Sequence, residues 1–148
     1  MEHIFHDNKS DVAVLGIIYN DCYGGYNYSD AARNEYKRLV GTDVSDQDVA
    51  GICYASRRDQ TMVTIIERIG STAASGKDSK LNIRYVKPEH LWFIDVKEYD
   101  GKEKLVFDGM HYVLRNISAI VDDSLKSDHT KISSIKKLIQ SVNRWYSA

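Results

Sequence analysis

The sequence lacks the features that mark disulfide-rich, zinc-binding, membrane-spanning and secreted proteins. It contains two cysteines, Cys22 and Cys53, in 148 residues. That is too few for a disulfide framework or a cysteine-based zinc site, and is typical of a reducing compartment. No run approaches the roughly 18 apolar residues of a membrane span, and the opening MEHIFH lacks the basic region and apolar core of a signal peptide. We therefore expect a cytoplasmic protein with free thiols and no membrane association.

An excess of charge of one sign is also absent. The chain has 20 Lys and Arg against 21 Asp and Glu, a formal net charge of -1, whereas a dedicated nucleic-acid binder is expected to carry a strongly basic face. Its 5 histidines form no HExxH motif and no consistent ligand spacing. The sequence therefore argues against nucleic acid as a partner, and it predicts neither a metal site nor another cofactor.

Proline occurs once, at Pro88, and the remaining pattern predicts an α+β fold. We expect a small, mostly antiparallel sheet of about four strands, packed with two or more helices and followed by a C-terminal helical hairpin. A branched apolar run, alternating segments and an Asp100-Gly101 hairpin turn indicate the strands, and apolar residues at helical spacing indicate the helices. The predicted strands cover residues 12–19, 81–86, 91–99 and 104–107, and the predicted helices cover residues 29–40, 59–69, 110–121 and 132–145.

The chain is long enough for one core and shows no internal repeat or long linker. We place an α+β core domain over residues 1–108 and the helical hairpin, appended to or packed on that core, over residues 109–148. Residues 42–58 fit either a short helix or a covering loop, and the pattern does not decide between them.

The stretch NDCYGGYNYSD, residues 20 to 30, combines glycine, cysteine and tyrosine between a strand and a helix start. A strand, a glycine turn and a helix N-terminus together direct backbone NH groups at one spot, where an anion can bind. The tyrosines offer stacking faces with polar tips. The alternative is a turn in which the tyrosines only pack. The candidate ligand-binding residues of this stretch are Cys22, Tyr23, Gly24, Gly25, Tyr26 and Ser29.

Charged residues elsewhere supply further candidate contacts. Arg57 and Arg58 precede Asp59, the predicted N-cap of a helix, and such a pair holds a phosphate or carboxylate bidentately. The alternative is surface arginines paired with local acids. In KEYDGKE, the acids Glu98, Asp100 and Glu103 cluster around a hairpin turn, where they are acceptors for ribose hydroxyls or for a partner's arginines, unless the cluster only solvates the turn.

Cys22 is the candidate nucleophile, because a thiolate is favoured at a helix N-terminus. No sequence signature ties a base to it, and His90 and His111 are candidates only by their order along the chain. A buried, inert thiol is the alternative. Glu98 is the corresponding candidate for a general base.

The motifs Asn20-Asp-Cys-Tyr-Gly-Gly-Tyr26 and Glu98-Tyr-Asp-Gly-Lys-Glu103 resemble those of an uncharacterised family of tailed-phage and large-DNA-virus proteins. The resemblance covers roughly residues 12–107. The chain departs from the family pattern at Tyr26 and Tyr28, where Phe and Leu are expected, and in its long helical tail. The resemblance implies a viral protein working in a host cytoplasm, and it brings no assigned activity.

The leading hypothesis is a virus-encoded binding protein that sequesters a host nucleotide signal in counter-defence, with a small anionic, nucleotide-like ligand. One alternative is an inhibitor or immunity-type interaction protein that uses the C-terminal hairpin. Another is a small phosphate-ester or nucleotide-processing enzyme that uses Cys22 or Glu98. Residues 1–50 carry 4 basic and 9 acidic side chains, while residues 109–148 carry 6 and 3. This asymmetry favours a homo-oligomer aligned head to tail, unless it only reflects solvated faces of different sign.

Overall fold

The computed structural model describes residues 5–6, 13–41 and 57–146, and these residues form the predicted α+β fold. Cys53 and nearly all of the undecided segment 42–58 lie outside the described residues. The strands are β1 (Phe5–His6), β2 (Ala13–Asn20), β3 (Leu81–Val86), β4 (Ile94–Tyr99) and β5 (Lys102–Phe107). The helices are α1 (Asp30–Val40), α2 (Gln60–Ile69), α3 (Ser71–Ala74), α4 (Gly109–Val121) and α5 (Asp128–Tyr146), with a 3-10 helix at Pro88–Phe93.

Strand β2 is the centre of a three-stranded antiparallel sheet in the order β1-β2-β3. Its register with β3 runs from Leu15 opposite Val86 to Asn20 opposite Leu81. The branched apolar run of β2 is buried at its centre, as the sequence predicts. Together with α1, α2 and α3 the sheet encloses a core that includes Ile18, Tyr28, Tyr36, Met62, Val63, Ile65, Ile66 and Leu81.

Helices α1 and α2 begin one residue after their predicted starts, because Ser29 and Asp59 are the N-caps, and they end at the predicted residues. The side chain of Ser29 accepts a hydrogen bond from the backbone N–H of Ala32, and Asp59 accepts two from the first turn of α2. Gly70 follows α2 with φ of 90°, a left-handed conformation that favours glycine. Caps of this kind satisfy backbone groups that the helix leaves unpaired, which is why they fix its bounds.

Strands β4 and β5 form a separate two-stranded sheet, so the strands are divided between two sheets instead of one. Asp100 and Gly101 both have positive φ, 50° and 83°, as a two-residue hairpin turn of type I′ requires. Strand β4 starts at Ile94, later than predicted, because Pro88–Phe93 form a 3-10 helix. The fixed φ of proline suits the first turn of a helix.

By its internal contacts the chain forms two compact units. The first comprises Met1–Leu91 and Val96–Leu105, and the second comprises Trp92–Asp95 and Val106–Ala148. In the second unit α4 packs on α5, and the ring of Tyr112 lies 5.2 Å from that of Phe93 and 5.5 Å from that of Phe107. Among the described residues, no helix combines the length and apolar character needed to cross a membrane.

Candidate functional site

The first unit contains a cleft of about 480 Å³ between the glycine turn and the tip of the β4–β5 hairpin. We call it the hairpin cleft. Its size lies within the range of small-molecule sites. It is lined by Gly24, Gly25, Tyr26, Arg57, Val96, Glu98, Gly101 and Glu103. Five of these, namely Gly24, Gly25, Tyr26, Arg57 and Glu98, are predicted from the sequence as ligand contacts.

Close packing explains why the first residue of the glycine turn, Gly24, is a glycine. A Cβ on Gly24 would overlap the carbonyl oxygen of Asp78, and a Cβ on Gly101 would overlap the backbone of Gly24. The space around Gly25 is open, and its backbone N–H donates to the oxygen of Asp78 at 3.2 Å. Gly24 therefore lets the turn, the 76–79 loop and the hairpin tip approach one another.

A buried ion pair forms one wall of the cleft. Arg57 donates through Nε to Glu103 Oε2 at 3.2 Å and through Nη2 to Glu103 Oε1. The arginine and carboxylate side chains are 15% and 3% exposed. Burial alone would lower the pKa of Arg57, but the hydrogen bonds and charge of Glu103 outweigh it and raise that pKa, so the guanidinium stays charged.

Asn20, at the end of β2, links the Arg57–Glu103 wall to the hairpin turn by hydrogen bonds. Its backbone N–H donates to Glu103 Oε2 at 2.8 Å, and its side chain donates to the oxygens of Gly101 at 2.7 Å and Cys22 at 3.0 Å. Its Oδ1 accepts from the N–H of Lys80 at 2.8 Å. The side chain is fully buried, so these bonds replace those that it would make with water.

Two tyrosines of the turn are part of the packed interior. The guanidinium carbon of Arg57 lies 4.1 Å from the ring centroid of Tyr26, within cation–π range. The hydroxyls of Tyr26 and Tyr28 are hydrogen-bonded to each other, and their rings meet edge-on at 5.3 Å. Tyr23 is 69% exposed, with Lys102 Nζ at 5.5 Å from its ring. Tyr26 therefore packs against Arg57, whereas the ring of Tyr23 is open to solvent.

Glu98 carries the open acceptor of the cleft. Its Oε1 accepts from the backbone N–H of Gly101. Within the described part of the chain, no hydrogen bond reaches its Oε2. Asp100 lies in the hairpin turn itself, with φ of 50°, and is not a lining residue.

The other predicted site residues lie outside the lining of the cleft. Ser29 and Asp59 serve as helix caps, and Asp59 also accepts from the hydroxyl of Tyr36 at 2.8 Å. Arg58 donates through Nε to the oxygen of Leu91 at 3.0 Å, so the two arginines do not converge on one point in the cleft. Arg57 is paired with Glu103, whereas Arg58 is bonded to the backbone of Leu91, and these different partners hold the two side chains apart.

Cys22 has hydrogen-bond acceptors around its sulfur. Its Sγ lies 3.4 Å from both Asn20 Oδ1 and the oxygen of Asp78. It is not a lining residue of the hairpin cleft. Among the described residues, no group of three or more His, Cys, Asp and Glu side chains is arranged to hold a metal ion.

Glu103 is predicted only as a member of the acidic cluster in KEYDGKE and Asn20 is not predicted as a site residue, although both organise the cleft. A signal for Glu103 exists in the alternation of β5, where Glu103, Leu105 and Phe107 share the buried face while Lys102 and Lys104 are exposed. A charged residue on the buried side of a strand needs a partner, and here that partner is Arg57.

Comparison with protein-family models, with curated proteins and with solved structures finds no match for this chain. The viral resemblance therefore stays a prediction.

Proposed function

We propose that the protein binds a small, nucleotide-like molecule in the hairpin cleft and holds it without turnover. One observation carries the proposal. A guanidinium, an open carboxylate oxygen and a close-packed glycine backbone meet in one cleft of suitable size. A few polar groups placed in a concave surface are what orient and select a small ligand.

The cleft offers a polar contact and a stacking contact to such a ligand. Glu98 Oε2 accepts from a sugar hydroxyl or a base amino group, because a carboxylate is an acceptor only. Arg57 lies on the wall of the cleft, where its guanidinium is paired with Glu103. The exposed ring of Tyr23, next to Gly24 in the chain, offers a stacking face near the turn.

The viral resemblance supplies the setting of the proposal. When a protein made during infection binds a host nucleotide signal, the free concentration of that signal falls by mass action. A sequestering protein needs affinity and abundance but no reactive group. Cys22 is not proposed as a nucleophile, since among the described residues its sulfur is hydrogen-bonded to two amide oxygens and to no base.

A second candidate, an interaction protein, is favoured by one observation on α4. Met110, Leu114 and Val121 are 76%, 59% and 53% exposed and share one helical face with Ile117. In an antiparallel pair of α4 helices this face matches itself, because Met110 then lies opposite Val121 and Leu114 opposite Ile117. The partner that fits is a second copy of the chain. On this candidate, Leu114→Lys converts a dimer into a monomer in light scattering, and an unchanged mass contradicts it.

The test of the leading proposal is calorimetric titration with nucleoside mono- and triphosphates and cyclic nucleotides. The wild type is compared with Glu98→Gln, which keeps the shape and the acceptor for Gly101 N–H. We expect the best ligand to bind at least about tenfold more weakly to the variant, because a hydrogen bond to a charged group contributes roughly 1.5–3 kcal/mol. Glu89→Gln, at an exposed carboxylate on the 3-10 helix, is the matched control and leaves the affinity unchanged. No binding by any of these ligands contradicts the proposal.

A further inference from the structure

The charges of the hairpin cleft do not favour a bare anion. Among the described residues, its lining contains one cation, Arg57, and two carboxylates, Glu98 and Glu103, so these side chains sum to -1. The nearby cation Lys102 is not a lining residue, and its Nζ lies 3.5 Å from Asp21 Oδ1. A phosphate entering this cleft meets a wall that is neutral at the ion pair and negative at Glu98.

The Arg57–Glu103 ion pair disfavours replacement of Glu103 by a ligand phosphate. Both oxygens of Glu103 accept from Arg57, and Oε2 also accepts from the backbone of Asn20. Separating the pair would leave a carboxylate that is 3% exposed without its counter-charge, and such a buried charge is costly to leave uncompensated. The fork of Arg57 that a phosphate would use is therefore already engaged by a carboxylate of matching geometry.

Glu98 differs from Glu103 because one of its oxygens has no partner in the described part of the chain. We infer that the hairpin cleft recognises the vicinal hydroxyls of a ribose through Glu98, with the Arg57–Glu103 pair as a fixed wall that excludes the phosphate. Glu98 is then the specificity-determining residue, and the phosphate projects out of the cleft into solvent. This inference rests on the proposed function and names the group of the ligand that the cleft selects.

The test uses matched sets of probes in calorimetric titrations. Each set consists of a ribonucleoside, its 5′-monophosphate and its 2′,3′-dideoxy analogue, taken for adenine, guanine, cytosine and uracil. In the set that binds, we expect the ribonucleoside to match its monophosphate within about threefold and to exceed the dideoxy analogue by at least about tenfold. Raising the salt concentration leaves the affinity for the monophosphate nearly unchanged, since no phosphate contact is being screened.

The role of Glu98 is isolated by repeating the set with Glu98→Gln and with the control Glu89→Gln. The inference predicts that Glu98→Gln reduces the preference for ribose over dideoxyribose to less than about threefold, while Glu89→Gln keeps it tenfold or more.

The outcomes separate the inference from the proposed function. Binding of monophosphates that is more than tenfold tighter than that of nucleosides, or equal binding of ribose and dideoxyribose forms, overturns the inference and leaves the nucleotide-binding function standing. Failure of every nucleoside and every nucleotide to bind overturns both.

Discussion

At the residue scale, Gly24 and Gly25 have different roles although they are neighbours in the chain. Gly24→Ala places a methyl group against the Asp78 carbonyl, whereas Gly25→Ala meets open space. We expect Gly24→Ala to lower the free energy of unfolding by about 1–3 kcal/mol or more, as overpacking does, and Gly25→Ala to change it by less than about 0.5 kcal/mol. Urea unfolding of the two variants measures the difference, and equal effects would contradict the packing role of Gly24.

Burial gives His90 a pH-dependent effect on stability. Burial is the largest cause that lowers the pKa of this histidine, and the charge of Lys87 lowers it further against the opposing effect of Glu89. As the pH falls, the unfolded chain, with an ordinary histidine pKa of about 6.5, therefore takes up this proton before the folded chain does. Stability is full above that pH and falls as the pH drops toward the lowered pKa of the folded state.

The variant His90→Gln removes this titration. We expect its unfolding free energy to fall less between pH 7 and pH 5 than that of the wild type. His111→Gln, which removes an exposed imidazole, is the comparison for loss of a histidine as such. A wild-type slope retained in His90→Gln would refute the role of burial.

At the element scale, the bounds of α2 show what the sequence specifies locally. Asp59 and Gly70 predict its ends because capping depends on a few neighbouring residues. Likewise the Asp100-Gly101 turn predicts the β4–β5 hairpin. The division into two sheets is not predicted, because alternation shows which face of a strand is buried but not which strand it pairs with.

The cap of α2 also joins that helix to α1. Asp59→Ala removes acceptors for two backbone N–H groups and for the hydroxyl of Tyr36. We expect a loss of about 2–3 kcal/mol, made up of about 1 kcal/mol or more for the cap and about 1.5 kcal/mol for the bond from Tyr36 to a charged group. Tyr36→Phe alone should cost only the second part. A double-mutant cycle by urea unfolding checks this, and additive effects would contradict the coupling.

At the scale of the whole molecule, contacts between residues far apart in the chain form both the hairpin cleft and the two compact units. Arg57 and Glu103 are separated by 46 residues, and no local pattern links them. The sequence therefore predicts Arg57 and Glu98 as contacts without predicting that Arg57 is held by Glu103. The second unit likewise combines two separate stretches, Trp92–Asp95 and Val106–Ala148. The predicted domain boundary at residue 108 stays a prediction.

A truncated chain ending at residue 108 tests that boundary. It would keep Phe93 and Phe107 but lose Tyr112, on which both rings pack within the second unit. We expect the fragment to aggregate or to lose cooperative unfolding, measured by light scattering and thermal melting, because large apolar side chains become exposed. A monomeric fragment that melts cooperatively would show that residues 109–148 are an appendage.

The central claim is that a small ligand occupies the hairpin cleft, and an NMR titration of the labelled full-length chain with ribonucleosides and nucleotides tests it most directly. The account predicts that the largest shifts occur at the amides of Gly24, Gly25 and Gly101 and at the side-chain Nε–H of Arg57, while the α4 and α5 amides stay in place. No shifts with any probe, or shifts confined to α4 and α5, would contradict it.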